Sequence, residues 1–206
     1  MLYVPESFAE RDEAALHAFI DAYGFAMLIS PDAADPPVTH LPLLLDRSRG
    51  KQGVLLGHVA RGNPHWHHLE SQPEVLAVFH GPHAYVSPSW YESHPSVPTW
   101  NYATVHAHGT ARLLHEARDL EQLVGRLVDQ YEGGRAQPWS IELPPDYQTQ
   151  MLRGIVGFEI TITRLTGKFK LSQNRPATDR VRVTEALERG EAGEQQMGAL
   201  MRGRLG

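Results

Sequence analysis

Histidine is the residue type in this sequence that could do chemistry most directly, and its distribution is uneven. Ten of the 12 histidines lie between His40 and His108, and His106 and His108 share one face of a predicted strand. Imidazole binds zinc and iron, but such sites need three or four converging ligands, usually including a carboxylate or a thiolate. The chain has no HExxH motif, no cysteine and no carboxylate at a convincing spacing from the H-x-H pair. The sequence therefore predicts no metal site.

Residue patterns for nucleophilic or paired-carboxylate catalysis are missing from the same region. The serines in the segment 87–96 lack the glycine pattern of a nucleophile elbow. Glu92 is the only carboxylate among residues 75–109, so no acid–base pair can form within this segment. We therefore predict no catalytic residue and expect a bound cofactor to supply any chemistry.

Two clusters of basic and polar residues could hold a phosphate group. In the first, Gly57–Trp66, Arg61 precedes a predicted helix start at Asn63, where free backbone amides and a guanidinium could meet one anion. The second cluster is Lys168–Arg175, with the sequence KFKLSQNR. An aromatic-rich loop at residues 88–102 lies between them in the sequence. Flat rings beside anion-binding groups suit a planar ring that carries a phosphate, and FMN fits that description.

The elements that must position these groups are predicted from hydrophobic periodicity and from turn residues. The predicted strands cover residues 25–30, 38–45, 53–59, 75–80, 103–108 and 157–172. The predicted helices start after Asp12 and at Asn63 or cover residues 119–131, 146–155, 181–187 and 197–201. A turn is expected at Pro31–Pro37 and an edge or a bulge at Pro42. The segment 157–172 is either one strand or a hairpin bent at Thr166–Gly167.

Short turns between most of these strands, with helices inserted at three places, predict an α+β domain built on a small barrel. The strand spacing does not suit a doubly wound sheet. The sequence also contains no G-x-G-x-x-G motif and no Walker-type loop. Classical dinucleotide-binding and P-loop folds are therefore excluded.

Composition is that of an ordinary globular protein, with 41% hydrophobic and 21% charged residues. No apolar run approaches the roughly 20 residues needed to span a bilayer, and the N-terminal sequence lacks the pattern of a signal peptide. Cysteine is absent, which excludes disulfides and thiolate catalysis. We expect a cytoplasmic protein with no membrane partner.

Charge is unevenly spread along the chain, although the overall balance is only −5. Residues 1–163 carry 10 Lys and Arg against 19 Asp and Glu, whereas residues 164–206 carry 9 against 5. The basic C-terminal part is either a solvated helical segment or a surface that faces phosphate or nucleic acid. The overall charge is not that of a dedicated DNA-binding protein.

Six long motifs of the sequence resemble the PaiB-type FMN-binding negative transcriptional regulators. They are VPESF, THLPLLL, GHVARGNPHW, VLAVFHGPHAYVSPSWY, VPTWNYATVHAHG and KLSQNR, and the resemblance extends from Tyr3 to about Leu187. It implies an FMN-binding split β-barrel with peripheral helices, the fold of pyridoxamine 5′-phosphate oxidases and small flavin reductases. It also implies a homodimer with FMN at the subunit interface. We expect a barrel domain at residues 1–176 and a helical C-terminal segment at 177–206.

The resemblance also implies which residues bind FMN. His58, Arg61 and Asn63 match the region that grips the phosphate, and the strand carrying Thr39, His40 and Leu41 is expected along the isoalloxazine ring. Trp100, Asn101 and Tyr102 are expected to cover the ring, either of the FMN in the same subunit or of the FMN across the dimer interface. Gln173, Asn174 and Arg175 form the remaining polar wall.

Three functions remain open from the sequence. The first is a homodimeric negative transcriptional regulator or redox-responsive factor that binds FMN. The second is an FMN-dependent oxidoreductase on the same fold, similar to flavin reductases or pyridoxamine-phosphate oxidases, and the third is a haem- or metal-binding protein. DNA is a candidate partner through the family alone, since the sequence contains no convincing helix-turn-helix.

Overall fold

The computed structural model describes residues 2–31, 35–140 and 142–205. The chain forms two compact units, which we call the first and the second unit. The first contains residues 1–19, 79–106 and 166–206, and the second contains residues 20–78 and 107–165. The predicted division at residues 176 and 177 stays a prediction.

Eight strands and six helices make up the regular structure of the described residues. The strands are β1 (Ala9–Glu10), β2 (Phe25–Ile29), β3 (Val38–Pro42), β4 (Leu44–Asp46), β5 (Val54–Ala60), β6 (Glu74–Val86), β7 (Thr99–Leu114) and β8 (Ile155–Lys170). The helices are α1 (Glu13–Ala22), α2 (His65–Ser71), α3 (Ala117–Glu132), α4 (Pro145–Arg153), α5 (Ala177–Glu188) and α6 (Ala192–Arg202). The prediction of an α+β chain is confirmed.

The strands form one sheet in the order β3-β2-β6-β7-β8-β5-β4, with β1 paired to β8. Strand β2 pairs antiparallel with β3 and β6, and β5 pairs antiparallel with β4 and β8. Strands that follow one another along the chain can pair this way through short turns. The short turns noted in the sequence are therefore consistent with this order.

Two local features of the strands follow from their residue types. Pro42 ends β3, and the backbone amide of Leu43 leaves the ladder to donate to the Gly24 carbonyl oxygen at 2.9 Å. An edge or a bulge was expected at Pro42, and β3 lies at one edge of the sheet, where a proline that cannot donate to a ladder is tolerated. The segment around Gly167 continues β8 as a single strand, in which Gly167 pairs with Glu10. Of the predicted turn at Pro31–Pro37, Asp32–Ala34 lie outside the described residues.

The core of the second unit forms where α3 packs on β5 and β8. The apolar stripe predicted for this helix is confirmed, with Leu120, Leu123 and Leu127 buried against Val54 and other apolar residues. Gly157 lets the helix approach, since a Cβ atom there would lie 2.5 Å from the Leu120 Cδ2 atom. Burial of three leucines stabilises the contact by several kcal/mol, at about 1.5–3 kcal/mol each.

The C-terminal residues of the first unit form a helical hairpin from α5 and α6. The buried apolar side chains of the two helices are Val183 and Leu187 on α5 and Met197 and Met201 on α6. A capping box between Glu191 and Glu194 starts α6, so the EAGE sequence carries a helix start that the sequence analysis missed. Both helices are longer than predicted.

Candidate functional site

His65 is the centre of a buried polar network in the second unit. Its Nδ1 atom lies 2.8 Å from Thr39 Oγ1, and its Nε2 atom lies 3.0 Å from Ser30 Oγ. Burial lowers the pKa of His65, and the nearby charge of His68 lowers it further. A neutral imidazole has one donor and one acceptor nitrogen, so both hydroxyl contacts are satisfied. His65 therefore holds the structure together and is not free to bind a metal.

Asn63 connects this network to the start of α2. Its Nδ2 group donates to Thr39 Oγ1 at 3.1 Å, and its Oδ1 atom accepts a hydrogen bond from the backbone amide of His65 at 3.0 Å. Asn63 was expected as the N-cap, but α2 begins at His65 and Pro64 occupies the N-cap position, so the Asn63 side chain instead closes a turn just before the helix. The structure brings together the predicted site residues Thr39 and Asn63.

Arg61 lies on the surface just before this network, and the backbone holds its guanidinium in place. The Nε atom donates to the Arg153 carbonyl oxygen at 2.8 Å, and Nη2 donates to the Ile155 carbonyl oxygen at 3.0 Å. Two of the five guanidinium N–H groups are used in this way, and both acceptors are uncharged. The side chain keeps its charge and the N–H groups of Nη1, in a fixed orientation and exposed to solvent.

The other three predicted residues of the second unit have different surroundings. His40 is an exposed residue of β3, whereas Leu41 is buried. His58 lies against an apolar pocket of about 220 Å³, which includes Trp139, Met151 and Ile155. Burial lowers the pKa of His58, and its Nδ1 atom has no hydrogen-bond partner among the described residues.

The first unit contains a cavity of about 230 Å³, which we call the basic pocket. Its lining consists of Phe8, Tyr91, Val97, Pro98, Thr99, Asn101, Lys170, Ser172, Asn174 and Arg175. Lys170 Nζ donates to the Trp100 carbonyl oxygen at 2.9 Å and to Thr99 Oγ1. Burial lowers the pKa of Lys170, and the charge of Lys168 lowers it further.

Asn101 lies at the buried side of the basic pocket with no exposed surface. Its Nδ2 group donates to Ser172 Oγ at 3.0 Å and lies 3.3 Å from Met201 Sδ. Ser172 has a φ angle of 63°, a left-handed conformation that costs a non-glycine residue about 1–3 kcal/mol. The contact with Asn101 therefore fixes a strained turn directly after β8.

Arg175 also lines the basic pocket. Its guanidinium carbon lies 4.2 Å from the centre of the Tyr91 ring, and Nη1 donates to Ser96 Oγ at 3.2 Å. A guanidinium stacked on a buried ring is held in place and keeps its charge. Neighbouring Gln173 accepts a hydrogen bond from the Leu171 amide at 2.7 Å and donates to the Phe169 carbonyl oxygen, so its amide braces the turn.

The loop that carries Tyr91 and Ser96 is tied to α5 by Asp179, which is fully buried. The Glu92 and Ser93 amides donate to Asp179 Oδ1 at 2.7 and 3.3 Å, and the Ser93 hydroxyl donates to Oδ2. The Ser93 hydroxyl bond lowers the pKa of Asp179; burial opposes this, and the two amides and the charge of Arg175 reinforce it. The sequence analysis missed Asp179, although its place in the first turn of a helix after Pro176 was a usable signal.

Three aromatic side chains of the first unit form an exposed group, which we call the aromatic patch. Trp100 is 53% exposed and Tyr85 is 41% exposed, and their ring centres lie 6.0 Å apart in an edge-to-face arrangement. His83 completes the patch at 6.3 Å from Trp100. Tyr102 lies apart from the patch, under the Lys168 ammonium at 5.2 Å. Of the predicted residues Trp100, Asn101 and Tyr102, only Asn101 lines the basic pocket.

A second basic cavity, of about 170 Å³, lies in the second unit, and we call it the ion-paired pocket. Glu159 accepts hydrogen bonds from Arg49 at 2.8 Å and from Arg112 at 3.0 Å. Arg126 donates to Asp46 at 2.8 Å. Burial opposes ionisation of Glu159, but the hydrogen bonds and charges of the two arginines outweigh it and lower the pKa.

Histidines and carboxylates do not come together in groups of three that could hold a metal ion within the parts of the chain that the structure describes. In the same parts, none of the helices combines the length and the apolar character needed to cross a bilayer.

The residues of the second unit fit the phosphate of FMN. A phosphate needs charge-assisted donors, and Arg61 offers N–H groups that are already oriented by two backbone carbonyls. Thr39 and Asn63 are adjacent polar groups whose positions are fixed by the His65 network. Arg61 can bind an anion at an exposed surface, where the size of the rest of the ligand is not restricted.

Comparison with known proteins identifies relatives over nearly the whole chain. The chain is 37% identical to "Protease synthase and sporulation protein PAI 2" of Bacillus subtilis, over 99% of this chain and 98% of that protein. The flavocytochrome Anf3 of Azotobacter vinelandii aligns over 81% of this chain and 72% of its own, with 16% identity and a TM-score of 0.59. The FAD and heme binding protein of Mycobacterium smegmatis aligns over 79% and 73%, with 14% identity and a TM-score of 0.57.

The structural matches confirm the split-barrel fold that the resemblance implied. Residues 2–164 match the family described as "Putative FMN-binding domain", a match of more than half of the chain. The resemblance stated from the six sequence motifs is therefore confirmed. The chain belongs to this PaiB-type FMN-binding family, and FMN is its cofactor.

Proposed function

We propose that the protein is a homodimeric, FMN-dependent regulator or redox-responsive factor. The observation that carries this proposal is the guanidinium of Arg61, which is oriented by the carbonyls of Arg153 and Ile155 and keeps free N–H groups. The relative from Bacillus subtilis, similar over 98% of its length, is named for protease synthase and sporulation, and the regulatory role proposed here follows the family resemblance. When bound, FMN supplies reversible one- and two-electron redox chemistry.

Arg61 holds the FMN phosphate, and His58 and Asn63 lie beside it in the sequence motif. Thr39, His40 and Leu41 run along the flavin, where the backbone of β3 offers polar groups. The protein itself binds and orients the flavin, since the described residues of the site include no acid–base pair. A partner molecule then responds to whether the flavin is oxidised or reduced.

Flavin titration tests the role of Arg61. FMN should bind ten- to a hundredfold more tightly than riboflavin, because a charge-assisted hydrogen bond contributes about 1.5–3 kcal/mol. Arg61→Ala should narrow this gap, and Arg118→Ala, which removes an exposed arginine of α3, should not. Fluorescence quenching of both flavins measures the affinities. Equal affinities of the unmodified protein for FMN and riboflavin would refute the assignment.

The homodimer covers the aromatic patch. Two large rings that are about half exposed and adjacent form the kind of surface that a partner subunit buries. Light scattering should give about twice the chain mass of 23.0 kDa. Tyr85→Glu should shift the protein toward the monomer, because it places a charge in the interface. A flavin-loaded monomer at micromolar concentration would contradict the dimer.

An FMN-dependent oxidoreductase is the second candidate function, and the basic pocket favours it as a place for an anionic substrate. Bleaching of the flavin absorbance by NAD(P)H would support the enzyme over the regulator. For the regulator, DNA contact should be mostly to phosphates and should weaken steeply between low and moderate salt. A gel-shift series over salt measures this. Tight, salt-resistant, sequence-specific binding would place the DNA function above the flavin function.

A further inference from the structure

The size of the basic pocket limits what it can hold. Its volume of about 230 Å³ exceeds the cavity of about 150 Å³ that accommodates benzene in another protein. It is smaller than the cavities of about 300–1,000 Å³ that enclose drug-sized ligands. A molecule with one ring therefore fits within the cavity itself, whereas the three fused rings, ribityl chain and phosphate of FMN would extend beyond it.

The charges of the basic pocket select an anion. Lys170 and Arg175 line it together, and no carboxylate is among the described lining residues. The hydrogen-bond partners of both cations are uncharged, namely two hydroxyl groups and one carbonyl oxygen. Asp179 acts on Arg175 through space, but its oxygens accept hydrogen bonds from Glu92 and Ser93 and it does not line the cavity. The pocket therefore has two positive charges without a direct counter-ion.

The walls of the basic pocket are held rigidly before any ligand binds. Tyr91 is buried under the guanidinium of Arg175, and Asn101 fixes the strained turn at Ser172. Asp179 ties down the loop that carries Tyr91. A preorganised site loses less conformational freedom on binding than a flexible one. Strain at Ser172 is typical of backbone at binding sites.

We propose that the basic pocket binds a small organic anion, with a carboxylate or phosphate head and a body about the size of one ring. The head pairs with Lys170 and Arg175, and the body packs against Phe8, Tyr91 and Val97. Asn174 and Arg175 then serve this second ligand instead of the FMN wall predicted for them. The proposal does not depend on the regulatory role or on the dimer.

The test is isothermal titration calorimetry of FMN-saturated protein with three probes, each of which contains a single benzene ring. Benzoate and phenyl phosphate should each bind at one site per chain, and benzyl alcohol should bind at least tenfold more weakly because it has no charge. A preference for one of the two anions identifies the head group as a carboxylate or a phosphate. Absence of binding to the FMN-saturated protein, or equal binding of benzyl alcohol, would overturn the proposal.

Variants locate the binding in the basic pocket. Arg175→Gln and Lys170→Gln should each weaken phenyl phosphate binding at least tenfold. Arg189→Gln is the matched control, since it removes the same charge from an exposed residue directly after α5 and outside the pocket. The Lys170 variant and the probe preference of the unmodified protein give the answer if the Arg175 variant does not fold. Unchanged affinity in the lysine variant, or the same loss in the control, would disprove the assignment.

Discussion

Basic side chains line both the basic pocket of the first unit and the ion-paired pocket of the second unit. The two pockets differ in whether carboxylates pair with those side chains. In the ion-paired pocket, Arg49 and Arg112 share Glu159, and Arg126 pairs with Asp46. In the basic pocket, Lys170 and Arg175 contact hydroxyl groups, a carbonyl oxygen and an aromatic ring, and no described carboxylate forms an ion pair with either. The number of cations is therefore a poor guide to anion binding.

The difference shows that a basic residue becomes available for a ligand when uncharged groups position it. Carbonyl and hydroxyl acceptors orient a guanidinium or an ammonium and leave its charge in place. A carboxylate both orients and neutralises the cation, and the resulting ion pair contributes to stability. Arg61 follows the first pattern, since two carbonyl groups hold it.

The largest effect on this comparison is expected from Asp179→Ala, because Asp179 holds one wall of the basic pocket. The substitution leaves two amides and a hydroxyl group without their acceptor and should lower the free energy of unfolding by about 3 kcal/mol. Urea denaturation measures this loss. Asp179→Asn keeps an acceptor for the amides and should cost less. Equal losses in both variants would mean that the charge of Asp179 carries the whole effect.

Glu159→Gln should convert the ion-paired pocket into one that resembles the basic pocket. Arg49 and Arg112 lose their shared counter-ion, and the free energy of unfolding should fall by about 2 kcal/mol, since the carboxylate is mostly buried but both arginines are exposed. The variant should also gain a second phenyl phosphate site per chain in calorimetry. A loss of stability without the new site would indicate that the arginines turn away into solvent.

Acid should weaken both regions, in a window that the pKa directions define. Asp179 and Glu159 have folded-state pKa values below their ordinary values of 3.8 and 4.5. Their stabilisation is thus complete above the ordinary values and is lost as the pH falls through the lowered ones. Urea midpoints should decline below about pH 4.5, and less steeply in Asp179→Asn and in Glu159→Gln. Slopes equal to that of the unmodified protein would contradict both assignments.

Arg112→Gln should lower the free energy of unfolding less than Asp179→Ala, Glu159→Gln or acid. Its side chain is 65% exposed, and Glu159 keeps Arg49, so the loss of stability should stay below about 1 kcal/mol. Phenyl phosphate affinity of the basic pocket should not change. Thermal unfolding and the same calorimetric titration check both points. A loss of anion affinity here would show that general charge, and not the pocket, governs binding.

Hydrophobic periodicity by itself determined much of the local structure. The alternation in residues 75–80 and 103–108 predicted the interior of β6 and β7, and the stripe Leu120–Leu127 predicted α3. These patterns depend on which side of an element is buried, which neighbouring residues reveal. The motifs also determined the family, because each is a run of consecutive residues that can be recognised without the fold, as GHVARGNPHW is.

Only the tertiary structure decided which charged residues form ion pairs, which polar groups have hydrogen-bond partners and which side chains remain available to a ligand. Asp179 meets Ser93 across 86 residues, Arg61 meets the Arg153 carbonyl across 92, and Asn101 meets Met201 across 100. No periodicity links positions so far apart, so the motifs could not show that Arg61 and Arg175 have different surroundings. Folding placed Arg61 at an exposed surface and Arg175 in the lining of a cavity, because different segments of the chain pack around each guanidinium.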